Sequence, residues 1–159
     1  MNVTPDNLRQ AVETLFQELF FASPDPKQTW VVANEPNSGL LGTLRLLPAE
    51  IASHAPRPNL HTVAAHAAHL LFATENAITW LSGQTPTRDW ETSWQPATVD
   101  DAQWRAQLDK LESTITALRT RIAAHTNWDL PSTTGLLGTL AHTAYHLGCI
   151  RQLAHWHRK

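Results

Sequence analysis

Four stretches of the chain carry apolar residues at helical spacing, and none alternates with a strand period for long enough to compete. In the first, Leu8, Ala11, Val12, Leu15, Phe16 and Leu19 recur three or four apart. Thr4 suits an N-cap and Pro5 the first helical position, where a missing N–H costs nothing. Pro24 and Pro26 end the run. The second helix is expected from Leu60 to Ser82, closed by Gly83 and the loop GQTPTRDW, with its stripe on Leu60, Val63, Ala67, Leu70, Leu71, Ile78 and Leu81. The third opens at Thr98-Val99-Asp100-Asp101, a start like a capping box with a carboxylate in the first turn. It buries Trp104, Leu108, Leu111, Ile115, Leu118 and Ile122, while Lys110, Glu112, Arg119 and Arg121 read as a solvated face. A turn region from Thr126 to Thr134, centred on Pro131, precedes the fourth helix, expected from about Gly135 to Trp156. That helix is apolar nearly all round, which predicts burial among several neighbours. Four long helices in one short chain predict an all-α four-helix bundle.

The connections are less regular. Between Ser23 and Asn59 the chain is polar and proline-bearing, yet Leu40, Leu41, Leu44 and Leu47 predict one or two short helical turns inside SGLLGTLRLLPAEIAS. A connection this long either covers a site or is a loop tied to the core by its leucines. In the linker QTPTRDWETSWQPAT the prolines argue against a continuous helix, and Trp90 and Trp94 are expected as packing anchors.

At 159 residues, the chain is expected to form a single domain spanning 1–159, large enough to bury one core. Twelve basic against fourteen acidic residues leave no basic stripe for a nucleic-acid partner. The polar start MNVTPDNLRQ lacks the pattern of a signal peptide, and no apolar run is long enough to cross a bilayer. The lone Cys149 excludes an internal disulfide and suits a reducing compartment, so a cytoplasmic protein without a membrane partner is expected.

Nine histidines change the picture. His142 and His146 are four apart on the fourth helix, so their rings lie about 40° apart on one face, where one ion can take both. Two unpaired polar rings on an apolar helix are costly unless something satisfies them. A third ligand has to come from a facing helix, and the second helix offers His61, His66 and His69. His61 falls in the first turn and reads as exposed. His66 borders the apolar stripe whereas His69 points away from its centre, so periodicity favours His66 and leaves both open. His54 in the long connection, His125 at the end of the third helix, and His155 and His157 in a frayed tail read as ordinary surface positions.

The stretch AHTAYHLGCIRQ resembles the final-helix signature of the DinB-like (YfiT-like) superfamily, commonly HxxxHxGQI, and TVAAHAAHLLFATENAITWLSG resembles that family's second helix. The resemblance implies a four-helix bundle with a long first connection and a divalent metal on three histidines. Matching Thr62 to the family's Ser or Thr near the helix start places the third ligand at His69, with His66 as the alternative; the set is then His69, His142 and His146. Cys149 stands where the family usually has glutamine and reads as a small buried hydrophobe rather than a fourth ligand.

Three neutral imidazoles leave a divalent ion at least one position for water or substrate. Nitrogen-only ligation suits zinc or nickel, with iron and copper as further options. The resemblance implies a metal-dependent enzyme of thiol-transferase or hydrolase type acting on a small molecule, and a homodimer. Glu75 and Asn76 are candidate neighbours of the site, although each also reads as ordinary helix surface. The competing reading is a non-catalytic bundle whose histidine cluster or metal only organises the core and a dimer.

Overall fold

A computed structural model of the chain describes residues 4–25, 27–86 and 89–156. Pro26, His157, and the Thr87 and Arg88 of the second linker fall outside them. The described residues form α1 (Pro5–Phe20), α2 (Leu40–Arg45), α3 (Ala49–Ala52), α4 (Val63–Leu81), α5 (Asp101–Ala123) and α6 (Leu130–Trp156), with a 3₁₀ turn at Thr92–Trp94 and no strand. α1 and α4 each pack on both α5 and α6, which puts α1 and α4 at opposite corners of a helical bundle. Phe16, Phe20, Leu70, Leu111, Ile115, Leu118, Leu136 and Ile150 fill its centre. No helix among the described residues is long and apolar enough to cross a membrane.

The caps explain where the helices begin and stop. Thr4 Oγ1 accepts from the Asn7 N–H at 3.2 Å, with Pro5 in the first turn. Asp100 and Gln103 form a full capping box at the start of α5. α4 ends in a Schellman motif: Gly83, at φ 74°, lets its own N–H reach Trp80 O and the Gln84 N–H reach Thr79 O.

Two starts differ from the pattern-based expectation. α4 begins at Val63 rather than Leu60, because Thr62 is the N-cap and its Oγ1 takes the Ala65 N–H at 3.0 Å. Leu60 therefore precedes the helix and is 49 % exposed, so it leaves the predicted stripe. α6 begins at Leu130, and Pro131 sits in its first turn, where no intrahelical partner is lost. Asp129 serves the cap, accepting from the Ser132 N–H at 2.9 Å.

Burial differs too. α6 is not enclosed all round: Leu136, Leu140, Thr143, His146, Leu147, Ile150 and Leu153 form the buried face, while Leu130, Leu137, Tyr145 and Trp156 are exposed. Conversely, every residue of α4 from Val63 to Leu70 is buried, since α3, α5, α6 and the 3₁₀ turn surround it. His155 lies in the last turn of α6 rather than in a frayed tail.

The long first connection is tied down by its leucines. Leu40, Leu41, Leu44 and Leu47 are buried, α2 and α3 pack on α5, and Trp104 Nε1 donates to Leu47 O at 2.8 Å. A buried carboxylate does the rest: Glu18 accepts from the backbone N–H groups of Trp30, Val31 and Val32 at 2.9, 2.6 and 2.8 Å. The segment that covers the histidines is the other linker, through its 3₁₀ turn on α4.

Candidate metal centre

The packing of α4 against α6 brings three imidazoles to one place. His69 comes from the middle of α4; His142 and His146 come from successive turns of α6. His142 Nε2 lies 3.2 Å from His69 Nε2 and 2.9 Å from His146 Nε2, and the ligating atoms of all three fall within 4.8 Å of one another. Nitrogens bonded to one ion at about 2.0–2.1 Å, at angles of about 90–110°, lie about 2.9–3.4 Å apart. The two measured separations fit that requirement.

Hydrogen bonding alone does not account for the arrangement. In a neutral imidazole each ring nitrogen carries either one proton or one lone pair, so His142 Nε2 cannot make a good hydrogen bond to both neighbours. The tautomer of His69 sharpens the point. Ser93 Oγ gives its single proton to Trp90 O at 2.6 Å, so at 2.7 Å it accepts from His69 Nδ1. The proton of His69 is thereby on Nδ1, and its Nε2 presents a bare lone pair to the cluster. Lone pairs converging at this spacing form a donor set suited to a cation.

The imidazoles are in their ligating state at neutral pH. Burial, followed by the like charges of His142 and His61, holds His69 at about 4. Burial, then His142, His66, His69 and His61, brings His146 to about 3. Burial lowers His142 as well. His66 falls to about 4, first through burial and then through His61 and His69.

His66 is also buried, beside the cluster, but it meets a different atom. Its Nδ1 lies 2.8 Å from His146 Nδ1, on the side of that ring opposite Nε2. His66 and His69 both turn inward because this half of α4 has no exposed face. The single-stripe reading of the helix therefore failed to separate them. His61 precedes the helix, is exposed, and stacks on Trp94.

Aromatic rings wall one side. Trp94 lies flat on His69, with centroids 4.0 Å apart and planes 8° apart, and meets His66 and His146 edgewise at 5.4 and 5.7 Å. Trp90 stands 5.7 Å from His69 and edge-on to Phe72 at 5.1 Å. The two tryptophans are thus packing anchors, as their linker suggested, but they anchor on the histidines themselves. Ser93 and the His66–His146 contact were not legible in the sequence; two tryptophans in an otherwise polar linker were the only hint. Cys149 is half-buried and does not join the cluster. Glu75 turns to Lys110 of α5 at 3.1 Å, an ordinary surface ion pair.

The pattern of the DinB superfamily matches residues 37–150, a stretch that holds all three clustered histidines, the whole of α4, and α6 as far as Ile150. The chain belongs to the DinB superfamily, a family assignment that a helical bundle with a histidine triad between two of its helices bears out. Comparison with curated proteins and with solved structures gives no significant match.

Proposed function

We propose that His69, His142 and His146 together hold one divalent ion, zinc or nickel, and that the protein is a metal-dependent enzyme of thiol-transferase or hydrolase type. The observation that carries this reading is the convergence of Nε2 atoms from two separate helices at ligand spacing. When bound, such an ion supplies Lewis acidity, lowering the pKa of a coordinated thiol or water.

The chain's own groups do the positioning. Burial keeps the imidazoles neutral, so their lone pairs are available. Ser93 fixes the ring and tautomer of His69. Trp94 covers a face of His69 from the linker side, with Trp90 beside it. His142 is the half-buried member of the three, so a small substrate approaches from its side.

The structural reading has one observation in its favour: a face of His69 is covered by the stacked Trp94, which suits an ion that only organises the core. Assay of metal-loaded, chelated and His142→Ala protein separates the two. The catalytic reading expects turnover of a thiol plus an electrophile, or of an activated ester, in the loaded protein alone. One bound ion with no turnover of either kind, and a large loss of thermal stability on chelation, favours the structural reading. Protein that takes up no ion contradicts a metal centre of either kind.

A further inference from the structure

His66 is the buried histidine that the three-ligand reading leaves without a task. It lies on α4, 7 % exposed, in the same layer as the ligand set, yet its Nδ1 is spent on His146 Nδ1 at 2.8 Å. Two neutral Nδ1 atoms this close share one proton. Because His146 Nε2 points to His142 and His69, the proton belongs on His146 Nδ1, and His66 Nδ1 is the acceptor. His66 then carries its own proton on Nε2, which is the tautomer opposite to those of His69 and His146.

We propose that His66 is a positioning residue for the metal centre: it accepts the His146 Nδ1–H, fixing the ring plane and tautomer that present His146 Nε2 to the ion. It does for His146 what Ser93 does for His69, so one ligand from each helix is held from behind by a different kind of acceptor. The usual partner of a ligating histidine is a carboxylate, a backbone carbonyl or water. A neutral imidazole differs from a carboxylate in adding no charge, and it leaves the ligand less electron-rich. The same contact bars His66 from the ion itself, since its near nitrogen is engaged on the far side of the His146 ring. The inference rests on the three-histidine reading, because it is the His146 Nε2 lone pair in the cluster that puts the ring's proton on Nδ1.

The test compares wild type, His66→Asn and His66→Leu. Asparagine places its side-chain oxygen near the Nδ1 position and keeps an acceptor; leucine fills the buried space without one. Cobalt(II) titration of the metal-free proteins reads affinity and the visible spectrum of the ion together. His66→Leu should bind about 10–100-fold more weakly with an altered spectrum, and His66→Asn should restore both towards wild type. Leucine binding as tightly as wild type, with an unchanged spectrum, overturns the proposal.

Ring-nitrogen NMR of the metal-free wild type supplies the second arm. It should show His146 protonated on Nδ1 and His66 on Nε2; the reverse pair overturns the proposal whatever the variants do. Wild type that takes up no cobalt contradicts the metal-centre reading instead, and the NMR arm still decides the pairing.

Discussion

Trp94 lies parallel to His69, ring on ring, and its opposite face is covered by His61 at 3.8 Å. The indole is thus held between two imidazoles, one in the cluster and one at the surface. Parallel stacking of this kind restrains the tilt of the His69 ring while Ser93 restrains its rotation.

Replacing that indole should be felt in both stability and metal binding. Trp94→Ala is expected to cost about 2–3 kcal/mol in urea unfolding, somewhat below the value for a fully buried tryptophan because Trp94 retains partial exposure. Trp94→Phe keeps an aromatic plane and should recover most of the loss. Equal losses in both variants contradict a stacking role.

Ser93 acts on a single atom. Ser93→Ala removes the acceptor for the His69 Nδ1 proton and leaves the Trp90 carbonyl without its donor. Zinc affinity should fall about 10-fold or more, with a far smaller change in the stability of the metal-free protein. Competition against a chromogenic chelator measures it, and an unchanged affinity argues that the tautomer of His69 is set elsewhere.

The buried Glu18 stands apart from the histidines and governs the first connection. Glu18→Ala strands three backbone N–H groups, those of Trp30, Val31 and Val32. Only the Val32 N–H is buried among the three, and leaving a buried donor unmet costs about 1–3 kcal/mol, so the variant should be destabilised by about 1–3 kcal/mol. Amide exchange at these positions should accelerate sharply. Protection at the wild-type level contradicts the role given to the carboxylate.

Stability should depend on pH in a defined direction. His66, His69 and His146 sit at about 4, 4 and 3, below the ordinary 6.5, so between these values the unfolded chain binds protons that the folded chain does not. Stability is therefore complete above about pH 6.5 and declines as the pH falls towards about 4. Urea midpoints measured across that window should fall less steeply in His146→Leu than in wild type. Parallel curves contradict the assignment of the slope to these imidazoles.

Much of the bundle was legible in the chain, and the reasons are local. Thr4, Pro5, Asp100 and Gly83 each mark a boundary through a hydrogen bond or a backbone angle that depends on near neighbours alone. The starts of α4 and α6 were displaced because Thr62 and Asp129 are caps embedded in unpromising surroundings, one after an exposed leucine and histidine, the other before a proline. In the site, the His142–His146 pair follows from helical spacing, since both rings share one face of one helix. The partner from α4 did not follow from spacing. Which of His66 and His69 reaches which nitrogen depends on how α4 is rotated against α6 and on a linker that sits over both. Those are tertiary facts, and the resemblance to the family, not the periodicity, pointed to His69.

The central claim is that His69, His142 and His146 share one ion. The most direct measurement is a crystal structure of zinc- or nickel-loaded protein with anomalous data collected at the metal edge. The account predicts one strong peak per chain, about 2.0–2.1 Å from the Nε2 atoms of His69, His142 and His146. No peak there, or a peak bonded to His66 in place of His69, contradicts it.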